Sequence, residues 1–172
     1  MKINHNNFLW SNLISSNWII NLATLGPLGY AGKAPGTNGS MAGLIFYIIL
    51  YLYIKLYWIL PLYIILIYLI AKICNKAEIL LRKNDSSVII LDEYIAMPIV
   101  FLGIYLIKDN YSILIIISIG LFFFRFFDIL KPFFINYLQN YKKGWGVVLD
   151  DIGAAFIACV CLHVFIFTLD IM

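Results

Sequence analysis

Five carboxylates stand out in a chain with little other charge: Asp92 and Glu93, Asp128, and Asp150 with Asp151. Hard oxygen donors without a histidine or cysteine beside them suit magnesium or manganese. Mg²⁺ usually keeps several waters and takes a substrate phosphate. Arg125 and Lys131 lie three residues before and three after Asp128, so on a helix all three project from nearly one side. Such cations hold phosphoryl oxygens. A metal there would neutralise phosphate charge. One carboxylate would either accept a proton from water or attack phosphorus itself. The competing structural reading is salt bridging among Asp128, Arg125 and Lys131, with the other acids solvated.

Two glycine-containing stretches add further candidate groups. Gly32-Lys33-Ala34-Pro35-Gly36-Thr37-Asn38-Gly39-Ser40 is rich in turn formers. Ser40 is placed to N-cap a following helix, and a helix start with a lysine and hydroxyls nearby is an anion site. It is not the P-loop, which ends in Gly-Lys-Ser/Thr. Lys142-Lys143-Gly144-Trp145-Gly146 precedes Asp150. Its lysines suit anionic lipid without specificity, and Trp145 suits a membrane interface.

What must position these groups follows from composition. Of the 172 residues 63% are hydrophobic and 12% charged, where a soluble domain carries about a quarter charged. Mean hydropathy is +0.94. This excludes an ordinary soluble globule, a disordered chain and, at a net charge of +3, a nucleic-acid binder driven by a basic face. The expectation is an all-α polytopic membrane bundle forming one domain over 1–172, with residues 1–12 a flexible cytoplasmic tail. No removable signal peptide is expected. Cys74, Cys159 and Cys161 read as reduced, apolar residues. His5 and His163 lack sequence neighbours that would build a site.

The run from Met41 to Cys74 is 34 residues. As one helix it would reach about 51 Å against a hydrocarbon core of about 30 Å. It is therefore split into spans over 41–54 and 58–74, turning near Lys55 to Pro61. Further spans are expected over 88–107, 112–130 and 147–169, with residues 8–31 an interfacial or re-entrant helix. Five spans with the N-terminus inside place ten basic residues in the cytoplasm and only Lys55 and Lys108 outside. That is a strong positive-inside signal. The same layout brings all five acids to the cytoplasmic ends of three helices, where a divalent cation would relieve their repulsion.

Several chemistries lack their motifs. There is no Cys-x5-Arg, no Asp-x-Asp-x-Thr/Val, no histidine placed for acid-phosphatase-like lipid phosphatases, and no paired-aspartate signature of CDP-alcohol transferases. Beside a lipid phosphatase, two other classes fit a charged membrane bundle: a small transporter or channel using the acidic cluster, and a structural membrane subunit. The acids sit at one end of their helices rather than at mid-membrane, which counts against conduction.

Four blocks carry a family resemblance: Ala34-Pro35-Gly36-Thr37-Asn38-Gly39-Ser40, Leu91-Asp92-Glu93-Tyr94-Ile95-Ala96-Met97, Phe124-Arg125-Phe126-Phe127-Asp128-Ile129-Leu130-Lys131-Pro132 and Gly144-Trp145-Gly146-Val147-Val148-Leu149-Asp150-Asp151-Ile152. In order and spacing, over about residues 23–165, the chain resembles the phosphatidylglycerophosphatase A family of bacterial inner-membrane lipid phosphatases. It departs at Phe134, where a second proline is common, and at Ala155, where glycine is common. Neither removes a charged group. The resemblance implies Mg²⁺-dependent hydrolysis of phosphatidylglycerol phosphate to phosphatidylglycerol and inorganic phosphate, on the cytoplasmic face. It implies metal binding and water activation by Asp92, Glu93, Asp128, Asp150 and Asp151. Lys33, Thr37, Ser40, Arg125 and Lys131 become the phosphate-side candidates. The expected partners are this lipid and the surrounding membrane, with no nucleic acid.

Overall fold

The long apolar runs fold as helices, and no strand occurs among the described residues. The computed structural model describes residues 15–53, 56–84, 86–104, 112–138 and 145–171. In chain order the helices are α1 (Ser16–Ala23), α2 (Pro35–Tyr53), α3 (Leu56–Leu81), α4 (Leu91–Val100), α5 (Ile113–Leu130), α6 (Phe133–Leu138) and α7 (Trp145–Ile171). A 3-10 turn at Gly26–Tyr30 joins α1 to α2. α4 is the central element, packed against both α2 and α7. α5 also packs on α7, and α1 lies on α3.

α5 and the Trp145–Leu169 part of α7 are long and apolar enough to cross a membrane. Large apolar side chains such as Ile64, Leu114, Phe122, Ile129 and Phe167 face outward. So much exposed apolar surface suits lipid better than water.

Several expected boundaries move. The 41–74 run is divided between α2 and α3, but α2 already begins at Pro35 and α3 runs on to Leu81. Proline at a first helical position lacks only an N–H that would be unsatisfied anyway. Ser40 is therefore a second-turn residue and not the cap. Pro61 lies inside α3 and does not end it. Of the expected span over 88–107, residues 105–107 lie outside the described residues, and among the described ones the α-helix covers Leu91–Val100, about 15 Å at 1.5 Å per residue. Pro98 removes one helical donor, and Gly103 at φ +83° turns the chain out of the helix. The expected helix over 8–31 is α1 followed by the 3-10 turn, separated by Leu25 in the left-handed region at φ 49°. Residues 8–14 lie outside the described residues, as do Lys2, Lys55, Lys108, Lys142 and Lys143 of the charge argument. His163 does have a cysteine beside it: its Nδ1 is 2.9 Å from the Cys159 carbonyl oxygen and 3.7 Å from Cys159 Sγ.

The contact of α2 with α4 is close because α2 presents glycines there. A Cβ at Gly43 would come within 2.5 Å of the Tyr94 carbonyl oxygen and 2.7 Å of Met97 Cβ. Gly43→Ala is therefore expected to lower stability by about 1–3 kcal/mol, the usual range for overpacking. Thermal unfolding in detergent measures it, and an unchanged midpoint would mean that the two helices separate freely.

Candidate active site

One end of the bundle holds a cavity of about 340 Å³. Its walls come from the start of α2 (Ala34, Pro35, Gly36, Thr37), the α3–α4 loop (Ser86, Ser87, Ile89) and the first turn of α4 (Asp92, Glu93). The end of α5 adds Arg125, Asp128, Ile129 and Lys131, and α7 adds Val147, Asp150 and Asp151. Eight of the ten residues singled out by sequence thus line one space, including all five acids. Asp92 and Glu93 sit at a helix N-terminus, where the macrodipole favours negative charge.

Of the two cations only Arg125 pairs as spacing alone suggests. Arg125 bonds Asp128 on its own helix, Nη1 to Oδ2 at 3.0 Å, but also reaches α4, Nη2 to Glu93 Oε2 at 2.7 Å. Lys131 turns away from Asp128. It stands at φ 40° as the left-handed cap of α5, its N–H bonded to the Phe127 carbonyl. Its Nζ donates to Asp150 Oδ2 on α7 at 2.5 Å. Burial alone would lower the Lys131 pKa, but the bond to Asp150 and the charges of Asp150, Asp151 and Asp128 raise it above the usual lysine value. The ammonium is therefore held charged.

Asp92 and Asp151 differ from the other three acids. Both are 5% exposed, and among the described residues neither has a basic side chain within ion-pair distance. Asp92 Oδ1 accepts the Glu93 N–H at 2.9 Å, and Asp150 Oδ1 accepts the Asp151 N–H at 3.1 Å. Among the described residues no group of three or more His, Cys, Asp or Glu side chains is arranged to hold a metal ion. Three of the five carboxylates are engaged by Arg125 and Lys131. The two left over supply hard oxygen donors facing one cavity, which suits a cation that draws its remaining ligands from water and phosphate.

Two sequence candidates fall elsewhere. Lys33 is exposed in the loop before α2 and does not line the cavity. Ser40 is 0% exposed and lies behind the cavity wall. Its Oγ accepts from Arg125 Nη2 at 3.0 Å and lies 3.1 Å from the Gly36 carbonyl and 3.2 Å from Glu93 Oε2, one of which takes its proton. Thr37 lines the cavity on the first turn of α2. That turn is fixed by Asn38, whose Nδ2 donates to the Leu28 and Ala31 carbonyls at 3.1 and 2.8 Å. Gly36 admits the Glu93 carboxylate to a position that any Cβ would occupy.

Sequence reasoning missed Ser86 and Ser87. The available signal was the Asn84-Asp85-Ser86-Ser87 run, a turn-forming cluster shortly before the acidic start of α4.

A family model described as Phosphatidylglycerophosphatase A matches residues 21–166. The chain belongs to that family. Among curated relatives, Phosphatidylglycerophosphatase A of Haemophilus influenzae is 33% identical over 133 residues, 77% of this chain and 78% of the relative. The protein of that name from Escherichia coli is 26% identical over 138 residues, 78% of this chain and 76% of the relative. A Bacteroides thetaiotaomicron protein provisionally named a phosphatidylinositol-3-phosphatase is 30% identical over 141 residues, 79% of this chain and 86% of the relative. No solved structure matches the chain. The family match spans every residue that lines the cavity.

Proposed function

We propose that the chain is a membrane-embedded phosphatase that hydrolyses the terminal phosphomonoester of phosphatidylglycerol phosphate, giving phosphatidylglycerol and inorganic phosphate. The observation that carries the reading is the gathering of five acids and two bases from α4, α5 and α7 into one cavity, in a chain of this family. The site faces the cytoplasm of a bacterial inner membrane, as the distribution of basic residues favours. α2, α3, α5 and α7 span the bilayer, and the short α4 enters it from the same face at which α5 ends.

Asp92 and Asp151 would hold Mg²⁺, which would supply positive charge against the phosphoryl oxygens. Arg125 and Lys131 keep three carboxylates in place around the cavity and present their remaining N–H groups to phosphate. A cavity carboxylate takes the proton of the attacking water. The water oxygen bonds to phosphorus as the bond from phosphorus to the glycerol oxygen breaks, and the carboxylate passes the proton it took to that oxygen, which leaves as the alcohol. Seclusion of the charged groups from bulk water strengthens each of these interactions.

The test is phosphate release from several lipid phosphomonoesters by the purified protein. Release from phosphatidylglycerol phosphate is expected, with loss on adding EDTA and recovery on adding excess Mg²⁺. Phosphatidylinositol 3-phosphate and phosphatidic acid serve as comparison lipids. No release from phosphatidylglycerol phosphate would overturn the substrate assignment. Release undiminished by EDTA would overturn the metal.

A further inference from the structure

The charged groups account for the phosphate, but they do not account for the whole cavity. At about 340 Å³ it falls in the size range of sites that enclose an entire small ligand. The α3–α4 loop contributes a wall of a different kind. Ser86 and Ser87 both line the space. Ser86 is 7% exposed, yet among the described residues its hydroxyl makes no hydrogen bond, and neither does that of Ser87. The Ser86 Oγ is not among the fully buried atoms left without a partner, so both hydroxyls are open to the cavity and available to bond what enters it.

The loop is held in position rather than merely passing by. The Ile89 N–H donates to the Ser86 carbonyl at 2.8 Å, and the Ile90 N–H donates to the Ala23 carbonyl at 3.0 Å. Gly29 packs so closely on the Val88 carbonyl that no Cβ fits between them. The two hydroxyls are therefore set in place before a ligand arrives. A neutral hydroxyl is both donor and acceptor and matches an alcohol, whereas phosphoryl oxygens are matched by guanidinium and ammonium groups.

We propose that Ser86 and Ser87 form a headgroup wall that hydrogen-bonds the polyol carrying the phosphomonoester, and so set which lipid phosphate is cleaved. This rests on the phosphatase reading above. The wall binds the one free hydroxyl of the glycerol between the two phosphates of the substrate and takes no part in phosphate binding.

The experiment measures kcat/KM on phosphatidylglycerol phosphate together with competitive inhibition by inorganic phosphate. Ser86→Ala and Ser87→Ala are each expected to lower kcat/KM about tenfold, the scale of one lost polar contact. Inhibition by inorganic phosphate should be as in the unaltered protein, and Ser86→Thr should restore most of the loss. Equal weakening of phosphate inhibition would overturn the proposal, because the serines would then act on the phosphate site. Unchanged kcat/KM in both alanine variants would also overturn it. Ser87 is exposed, so Ser87→Ala decides the matter if Ser86→Ala does not fold. If the unaltered protein releases no phosphate from this lipid, the phosphatase reading fails instead.

Discussion

Asp151→Asn is expected to lower phosphate release by about 10²-fold or more, the scale of losing a metal ligand or proton acceptor, while leaving the protein at least as resistant to heat. The two effects have opposite signs for one reason. Asp151 is buried, and no hydrogen bond or ion pair among the described residues engages its side chain. Its neighbours in the cavity include Asp92, Asp128 and Asp150, all of its own charge. An uncompensated buried charge destabilises the fold, so the neutral amide of nearly the same shape removes a burden on folding. The residue is then explained by what it does when a cation is present, a common trade of stability for activity. Asp92→Asn should lose activity alike, but without the gain in stability, because Asp92 Oδ1 accepts the Glu93 N–H and its charge lies at the start of α4. Phosphate release and thermal unfolding of both variants in one detergent decide it. Turnover near that of the unaltered protein, or a large fall in thermal midpoint, would remove Asp151 from the proposed site.

The acids were legible in the sequence because the chain is so poor in charge. In a bundle this apolar, five carboxylates near helix ends have few places to go, and positive-inside arithmetic alone put them at one end. The division of the 41–74 run was legible from length, since one straight helix would overrun the bilayer. The extent of α4 was not. Its hydrophobic run continues past Val100, where the helix has already ended at the Phe101 cap, after Pro98 and ahead of the left-handed Gly103. Partner choice was not legible either. Spacing along α5 points Lys131 at Asp128, but the left-handed cap at Lys131 reverses the chain and delivers its ammonium to α7. Ser40 read as a cap and a phosphate contact because its role depends on α4 and α5, residues 53 and 85 positions away. Lys33 belongs to the right sequence block but to the outer side of its loop.

Arg125→Lys is the second change with a large expected effect, despite keeping the charge. The guanidinium holds three groups at once: Asp128 through Nη1, and Glu93 and Ser40 through Nη2. These come from α5, α4 and α2, so Arg125 ties together three walls of the cavity. An ammonium on a flexible stem cannot reproduce that planar fork. Loss of about 10–10²-fold in kcat/KM is expected, with a stability loss of about 1–3 kcal/mol. The upper figure for breaking a fully buried pair is reduced here, because the Arg125 side chain is 26% exposed and partly screened. A double-mutant cycle isolates the link to α4. In an Arg125→Met background, Glu93→Gln should be much less harmful than in the unaltered protein, since it then removes a carboxylate already deprived of its partner. A coupling of about 0.5–3 kcal/mol is expected for residues in direct contact. Additive stability losses would mean that Arg125 and Glu93 act independently, and the cavity would then need another explanation for the alignment of α4 with α5.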